Sequence, residues 1–306
     1  MKHHRLLHIM MAVGACVPVA LGRGVGDPAE ELKVGQWIKG APIVLKDAVG
    51  KKVVVVEFWA TWCGPCRVGI PHLTEVAKQY KDRGVVLVSI SNEEPDKVKA
   101  FVEEQGERMG YTVAADTKEG DATRGFMRAF YISTIPHAFI VDRKGVVAWH
   151  GNPMEPGFDR ALEAIVSDKY DLEAFKKADA PRMTELETRD LFQRYFVELL
   201  EGGKSAKEVA PLAERLLTIG AANVDMLNAL AWTILDEPRV TDRDLPLALR
   251  AIEKANEQTG GKRHEILDTL ARALFENGKR KEAVEQQKKA IELCQDPQLK
   301  ADFQRR

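Results

Sequence analysis

The stretch that most constrains this chain is "KKVVVVEFWATWCGPC", from Lys51 to Cys66. Its first half is a continuous β-branched and aromatic run bounded by Gly50 and basic residues. Such a run fits a strand buried on both faces, as at the centre of a largely parallel sheet. Its second half holds two of the chain's four cysteines, three residues apart. A strand running into a helix places Cys63 at the helix N-terminus, where unpaired N–H groups and the helix dipole stabilise a thiolate. Cys66 lies one turn on, close enough to bond to Cys63 and shielded by the helix body. The first thiol can then attack a partner's disulfide and the second can resolve the mixed disulfide. Pro65 costs little there, because first-turn N–H groups have no helical partner.

Two other readings of the pair remain, half of a zinc site and a structural staple. Zinc needs two further ligands. The chain has no second CxxC, Cys16 and Cys294 lie far away, and His72 and His137 are not at finger spacing. A staple would close a very small loop and constrain little of the unfolded chain. The redox pair is the favoured reading, with no metal and no bound cofactor expected.

Strand and helix patterns alternate after this point. The spacing predicts a helix over Cys63–Tyr80, with Val68, Leu73, Val76, Ala77 and Tyr80 on one face and a kink at Pro71. "GVVLVSIS" (Gly84–Ser91) reads as a second buried strand and Glu94–Gly106 as a helix with Pro95 near its start. Tyr111–Asp116 reads as a short strand and Gly120–Tyr131 as a weak helix. His137–Asp142 and Val146–Gly151 form a hairpin turning at Arg143–Gly145, and Phe158–Tyr170 is a closing helix. The expectation is an α/β domain with a mixed sheet flanked by helices over residues 43–170. Polar residues 23–42 read as an extended lead-in, and the charged, proline-bearing stretch 171–188 as a linker.

Residues 189–306 lack strand signals and repeat themselves. "LNALAWTIL" from Leu227 parallels "LDTLARALF" from Leu267, and "ALRAIEKA" from Ala248 parallels "AVEQQKKA" from Ala283. Small residues on facing stripes (Ala231 and Ala271; Ala248, Ala255, Ala283 and Ala290) let paired helices approach closely. An earlier hairpin fits Leu191–Leu217, turning at "EGGK". The pattern resembles tetratricopeptide repeats, except that Gln287 stands where those repeats usually bury an aromatic residue. Cys294, on an apolar helix face, reads as core. Two domains agree with a length of 306 residues.

The N-terminus reads as a secretory signal peptide over residues 1–22. Lys2 and Arg5 precede the uncharged stretch Ile9–Gly22, which is too short to span a membrane, and small residues follow at Ala20 and Gly22. His3, His4 and His8 would leave with it. "VGAC" ending at Cys16 loosely resembles a lipobox, so lipid anchoring is the less favoured alternative. Either way the protein is expected to be exported, periplasmic or extracytoplasmic, where disulfides persist. A net charge of −1 with no basic patch argues against nucleic acid as a partner.

"VVEFWATWCGPC", the following "RVGIP" and the distant "TIP" before a strand resemble the thioredoxin superfamily. With the leader and the added segment Ser91–Asp116, the chain is most similar to the TlpA/ResA-like thiol–disulfide oxidoreductases, over Gly35–Tyr170. The resemblance implies a redox-active Cys63–Cys66 disulfide. It makes Pro136 the cis-proline that packs against the cysteines, and Glu57 the buried acid that relays a proton to or from Cys66. It places Trp62, Gly64, Pro65, Ile135 and His137 at the substrate-docking surface. His137 departs from the family's usual small hydroxyl residue. If it faces the cysteines its protonated form would lower the Cys63 pKa, and if it points away it does nothing.

The function expected is a thiol–disulfide oxidoreductase, a reductant of protein disulfides fed by a membrane or periplasmic electron donor. Peroxide reduction is a second enzymatic reading. A third makes the protein a scaffold whose helical repeats bind a protein partner.

Overall fold

The computed structural model describes residues 22–305. The expected leader, with Cys16, lies outside the described residues apart from Gly22.

The six strands are β1 (Val34–Lys39), β2 (Val53–Trp59), β3 (Val85–Ser91), β4 (Thr112–Asp116), β5 (His137–Val141) and β6 (Val147–Gly151). They form one sheet in the order β1-β4-β3-β2-β5-β6. The pairs β2–β3 and β3–β4 are parallel, and β1–β4, β2–β5 and β5–β6 are antiparallel. The valine run lies where its composition places it: Val53 to Val56 are each at most 1% exposed. Val53, Val55 and Trp59 face one core, which also holds Cys63 and Cys66. Val54, Val56 and Phe58 face the other. A strand buried on both faces has no need of polar alternation.

Five helices belong to this half: α1 (Leu45–Ala48), α2 (Gly64–Tyr80), α3 (Pro95–Gln105), α4 (Asp121–Gly125) and α5 (Pro156–Val166). Two expectations change. Residues 34–39, read as lead-in, form an edge strand on β4. Gly35 permits this, since a Cβ there would lie 2.7 Å from the Asp116 carbonyl oxygen. Val68 was expected on the buried face of α2 and is 73% exposed. Ile70, Leu73 and Val76 occupy that face instead, because five residues of helix turn Val68 well away from Leu73.

The remaining helices are α6 (Leu172–Leu200), α7 (Ala206–Ile219), α8 (Val224–Asp236), α9 (Leu245–Thr259), α10 (His264–Glu276), α11 (Arg280–Leu293) and α12 (Pro297–Arg305). α6 packs with α7, α8 with α9, and α10 with α11, as helical hairpins, the α8–α9 connection being the longest. All six stripe alanines are buried. Gln287 replaces an aromatic contact with two hydrogen bonds, donating from Nε2 to Asp268 Oδ1 and to the Phe303 carbonyl at 2.9 Å each. It thereby ties α12 to α10 and α11.

The expected linker is not one. Residues 172–200 form a single 29-residue helix with Pro181 inside it. Packing outweighs the missing proline N–H. Leu172 and Phe175 pack on the cysteine-side core and Met183 and Leu186 on the opposite one. α6 therefore packs on both faces of the sheet and meets β6 where Asp179 bonds to His150, while residues 26–29 pair with the outer edge of β6 at its start. Farther along, Leu191, Tyr195 and Phe196 enter the helical core. One helix thus serves both halves of the chain.

Candidate active site

At the junction of β2 and α2, Cys63 is the N-cap residue and is bonded to Cys66, with Cα atoms 5.3 Å apart. Cys63 Sγ accepts a hydrogen bond from Cys66 N at 3.2 Å. A first-turn N–H is thus aimed at the sulfur that would carry thiolate charge in the reduced protein. The loop before it is clamped by Glu93, which accepts from Thr61 N at 2.6 Å and from Thr61 Oγ1 at 2.8 Å. Lys97 pairs with the same carboxylate at 2.6 Å. Burial pushes the Glu93 carboxyl up, but Lys97 and Thr61 outweigh it and hold it below its ordinary value. Sequence reasoning missed Glu93, because "SNEEPDK" reads only as the approach to a helix.

Glu57 is 2% exposed and alternates along β2 with Val55 and Trp59, so its side chain is on the cysteine side of the sheet. Ser89 Oγ donates to Glu57 Oε2. Burial raises the carboxyl to about 8, against a smaller downward pull from Ser89. A carboxyl held there exchanges protons in the range where thiols do.

Of the expected docking residues, Trp62, Gly64 and Pro65 adjoin the cysteines along the chain. Trp62 is 69% exposed beside buried Cys63, and Gly64 and Pro65 are exposed on the first turn of α2. The Ile135–Pro136 peptide is cis. Ile135 packs against the core cluster that contains both cysteines. A groove of about 290 Å³ runs between Trp62, Asn92, Ser133 and Ile135.

His137 does not join this group. It shares a sheet face with Phe139, and its ring lies 5.1 Å from that of Phe139, in the core away from the cysteines. Its Nε2 lies 3.1 Å from His150 Nδ1. Burial, with His150 and Arg182 nearby, lowers its pKa far below the ordinary value. A neutral imidazole on the far face supplies no charge to Cys63, so of the two orientations open to His137 it takes the one that points away from the cysteines.

A buried cysteine pair bonded at a strand-to-helix junction, with a buried carboxyl on the same sheet face and a cis-proline just before β5, defines a protein of the thioredoxin fold built for thiol–disulfide exchange. A model of the AhpC/TSA family matches residues 25–150. Thiol-disulfide oxidoreductase ResA of Bacillus thuringiensis (strain Al Hakam) is 31% identical over 159 residues, covering 48% of this chain and 87% of that protein. Thioredoxin-like protein YneN of Bacillus subtilis (strain 168) is 32% identical over 132 residues, covering 42% and 71%. Among solved structures, a thiol:disulfide interchange protein of Chlorobium tepidum TLS is 31% identical, covering 45% of this chain and 95% of that one, with a TM-score of 0.37. The chain belongs to the ResA family of thiol–disulfide oxidoreductases.

Proposed function

We propose that this enzyme reduces disulfides of exported proteins. In the dithiol form, the Cys63 thiolate attacks a substrate disulfide and expels one substrate sulfur as a thiolate. Cys66 then loses its proton and attacks the Cys63 sulfur. The second substrate thiol leaves, and the Cys63–Cys66 disulfide closes. Two electrons pass from the enzyme to the substrate, and a membrane-bound or exported dithiol donor restores the starting state. The ionised fraction of Glu57, sizeable because burial pushes its pKa up to about 8, takes the Cys66 proton, and the substrate segment lies along Ile135 and Pro136. The observation that carries the reading is the Cys63–Cys66 pair at the N-terminus of α2, with buried Glu57 on the same sheet face. Export is supported by the basic-then-apolar leader, and among the described residues no helix is long and apolar enough to cross a membrane. Peroxide reduction fits less well, because the sulfur that would meet peroxide already has a partner one turn away.

Cys66→Ser removes the resolving thiol. Incubated with exported proteins, this variant should accumulate mixed disulfides on Cys63 that a reducing agent releases. No trapped protein, with the thiol of Cys63 shown to be free, defeats the reading.

A further inference from the structure

The cis-proline segment borders two cavities. One is the groove beside Trp62. The other is a cleft of about 620 Å³ that runs from Ile135 and Pro136, past Asn152, to Phe175 and Arg182 of α6. Its far wall therefore comes from a helix that begins beyond residue 150, where the family model stops.

A continuous hydrogen-bonded path ties that wall to the residue after Pro136. Asp179, on α6, is an acceptor at both oxygens. Arg182 Nε donates to Oδ1 at 2.9 Å, and His150 Nε2 lies 3.0 Å from Oδ2. A carboxylate cannot donate, so the proton sits on His150 Nε2 and leaves Nδ1 as the acceptor of a neutral ring. His137 Nε2, at 3.1 Å, then donates to Nδ1. The terminal nitrogen of Arg182 lies 3.2 and 3.0 Å from the two ring nitrogens of His150. Near-equal distances to both place it over the ring face. His137, His150 and Asp179 are all buried, so each bond is shielded from water and costly to leave unmade.

We infer that α6 forms part of the substrate site: the polypeptide flanking a substrate disulfide docks in this cleft, and Asp179 and Arg182 are positioning residues that hold the wall and the segment after Pro136 in register. This rests on the reading of the protein as a disulfide reductase and names its substrate class, an extended polypeptide rather than a small disulfide. Because Ile135 lines both cavities, a chain lying across it from the Trp62 groove enters the α6 cleft. A small disulfide reaches Cys63 without touching α6.

The test uses the full chain and two substrates, a synthetic unstructured peptide closed by one disulfide, and hydroxyethyl disulfide. Arg182→Ala and Asp179→Ala should raise KM for the peptide roughly tenfold, the size expected for loss of a charged hydrogen bond. Any loss on hydroxyethyl disulfide should be several-fold smaller than the loss on the peptide. Asp179→Asn keeps an acceptor for His150 Nε2 and should recover part of the peptide KM. Arg182 is half-exposed, so Arg182→Ala keeps the test open if Asp179→Ala does not fold. Unchanged peptide KM in the alanine variants overturns the inference. So does a parallel loss on both substrates, the mark of a merely structural role. Wild-type protein inert towards both disulfides instead overturns the reductase reading on which it stands.

Discussion

Ser89 Oγ donates to Glu57 Oε2 at 2.5 Å, between two residues that are direct partners in the parallel pairing of β2 with β3. In-register parallel strands set their side chains on the same face, so the serine reaches the acid without any loop to guide it. One hydroxyl does not offset the loss of water around a buried carboxylate, and the carboxyl remains protonated up to about pH 8.

Glu57→Gln should change how stability depends on pH. The folded value of about 8 lies above the ordinary 4.5, so the folded chain binds this proton more tightly than the unfolded one. The contribution is fully present below pH 4.5 and is lost as pH rises through 8. Across that window the wild type should lose about 1.4 kcal/mol per pH unit that Glu57→Gln does not. Denaturant unfolding of the oxidised forms at several pH values measures this, since no active-site thiol then titrates. Parallel profiles for the two proteins would exclude a raised Glu57.

His137→Thr should leave the Cys63 thiol pKa unchanged. The imidazole lies on the far sheet face and hydrogen-bonds to His150. The substitution should instead cost about 1–3 kcal/mol of stability, because His150 Nδ1 loses its buried donor. Thiol titration of the reduced proteins, alongside their unfolding curves, separates the two effects. A shifted Cys63 pKa would put the imidazole's influence back at the disulfide.

Pro181→Ala tests the continuity of α6. Proline costs about 3 kcal/mol inside a helix, and about 1 kcal/mol of that is returned by the stiffer unfolded chain. The alanine variant should be about 2 kcal/mol more stable, read from its denaturation midpoint. A flexible linker would give no gain.

Gln287→Ala removes the hydrogen bond to the Phe303 carbonyl that ties down α12, together with the bond to Asp268 on α10. The cost should be about 1–2 kcal/mol, concentrated at the C-terminus. Amide exchange over Pro297–Arg305 should accelerate while α8 and α9 stay protected. Uniform acceleration would mean that α12 is not separately anchored.

Much of the α/β half is legible in the sequence. The valine run has one comfortable place in a sheet, and Gly-Pro between two cysteines after a strand marks the start of a helix. What is not legible depends on register. Alternation says that His137 and Ala138 face opposite ways, but not which of them meets the cysteines. Partnership with His150, thirteen residues on across a hairpin, decides it. The helix α6 hides for another reason. Its apolar residues serve three surfaces in turn, Leu172 and Phe175 on one sheet face, Met183 and Leu186 on the other, and Leu191 and Tyr195 in the helical core. No single stripe of helical period results, and Pro181 among charged residues completes the disguise. Asp179 and Arg182 look like solvated charges until His150 is brought beside them.

A helix shared between two cores sets the smallest piece of this chain that can stand alone. Cutting between residues 170 and 179 would take Met183 and Leu186 from the sheet core and strand His150 without its acceptor. The same cut would leave the first helical hairpin without the upstream turns that anchor its long helix to the sheet. Residues that look like a seam in the sequence are a splice in the material, and a protein engineer who swaps domains at that point would break both parts.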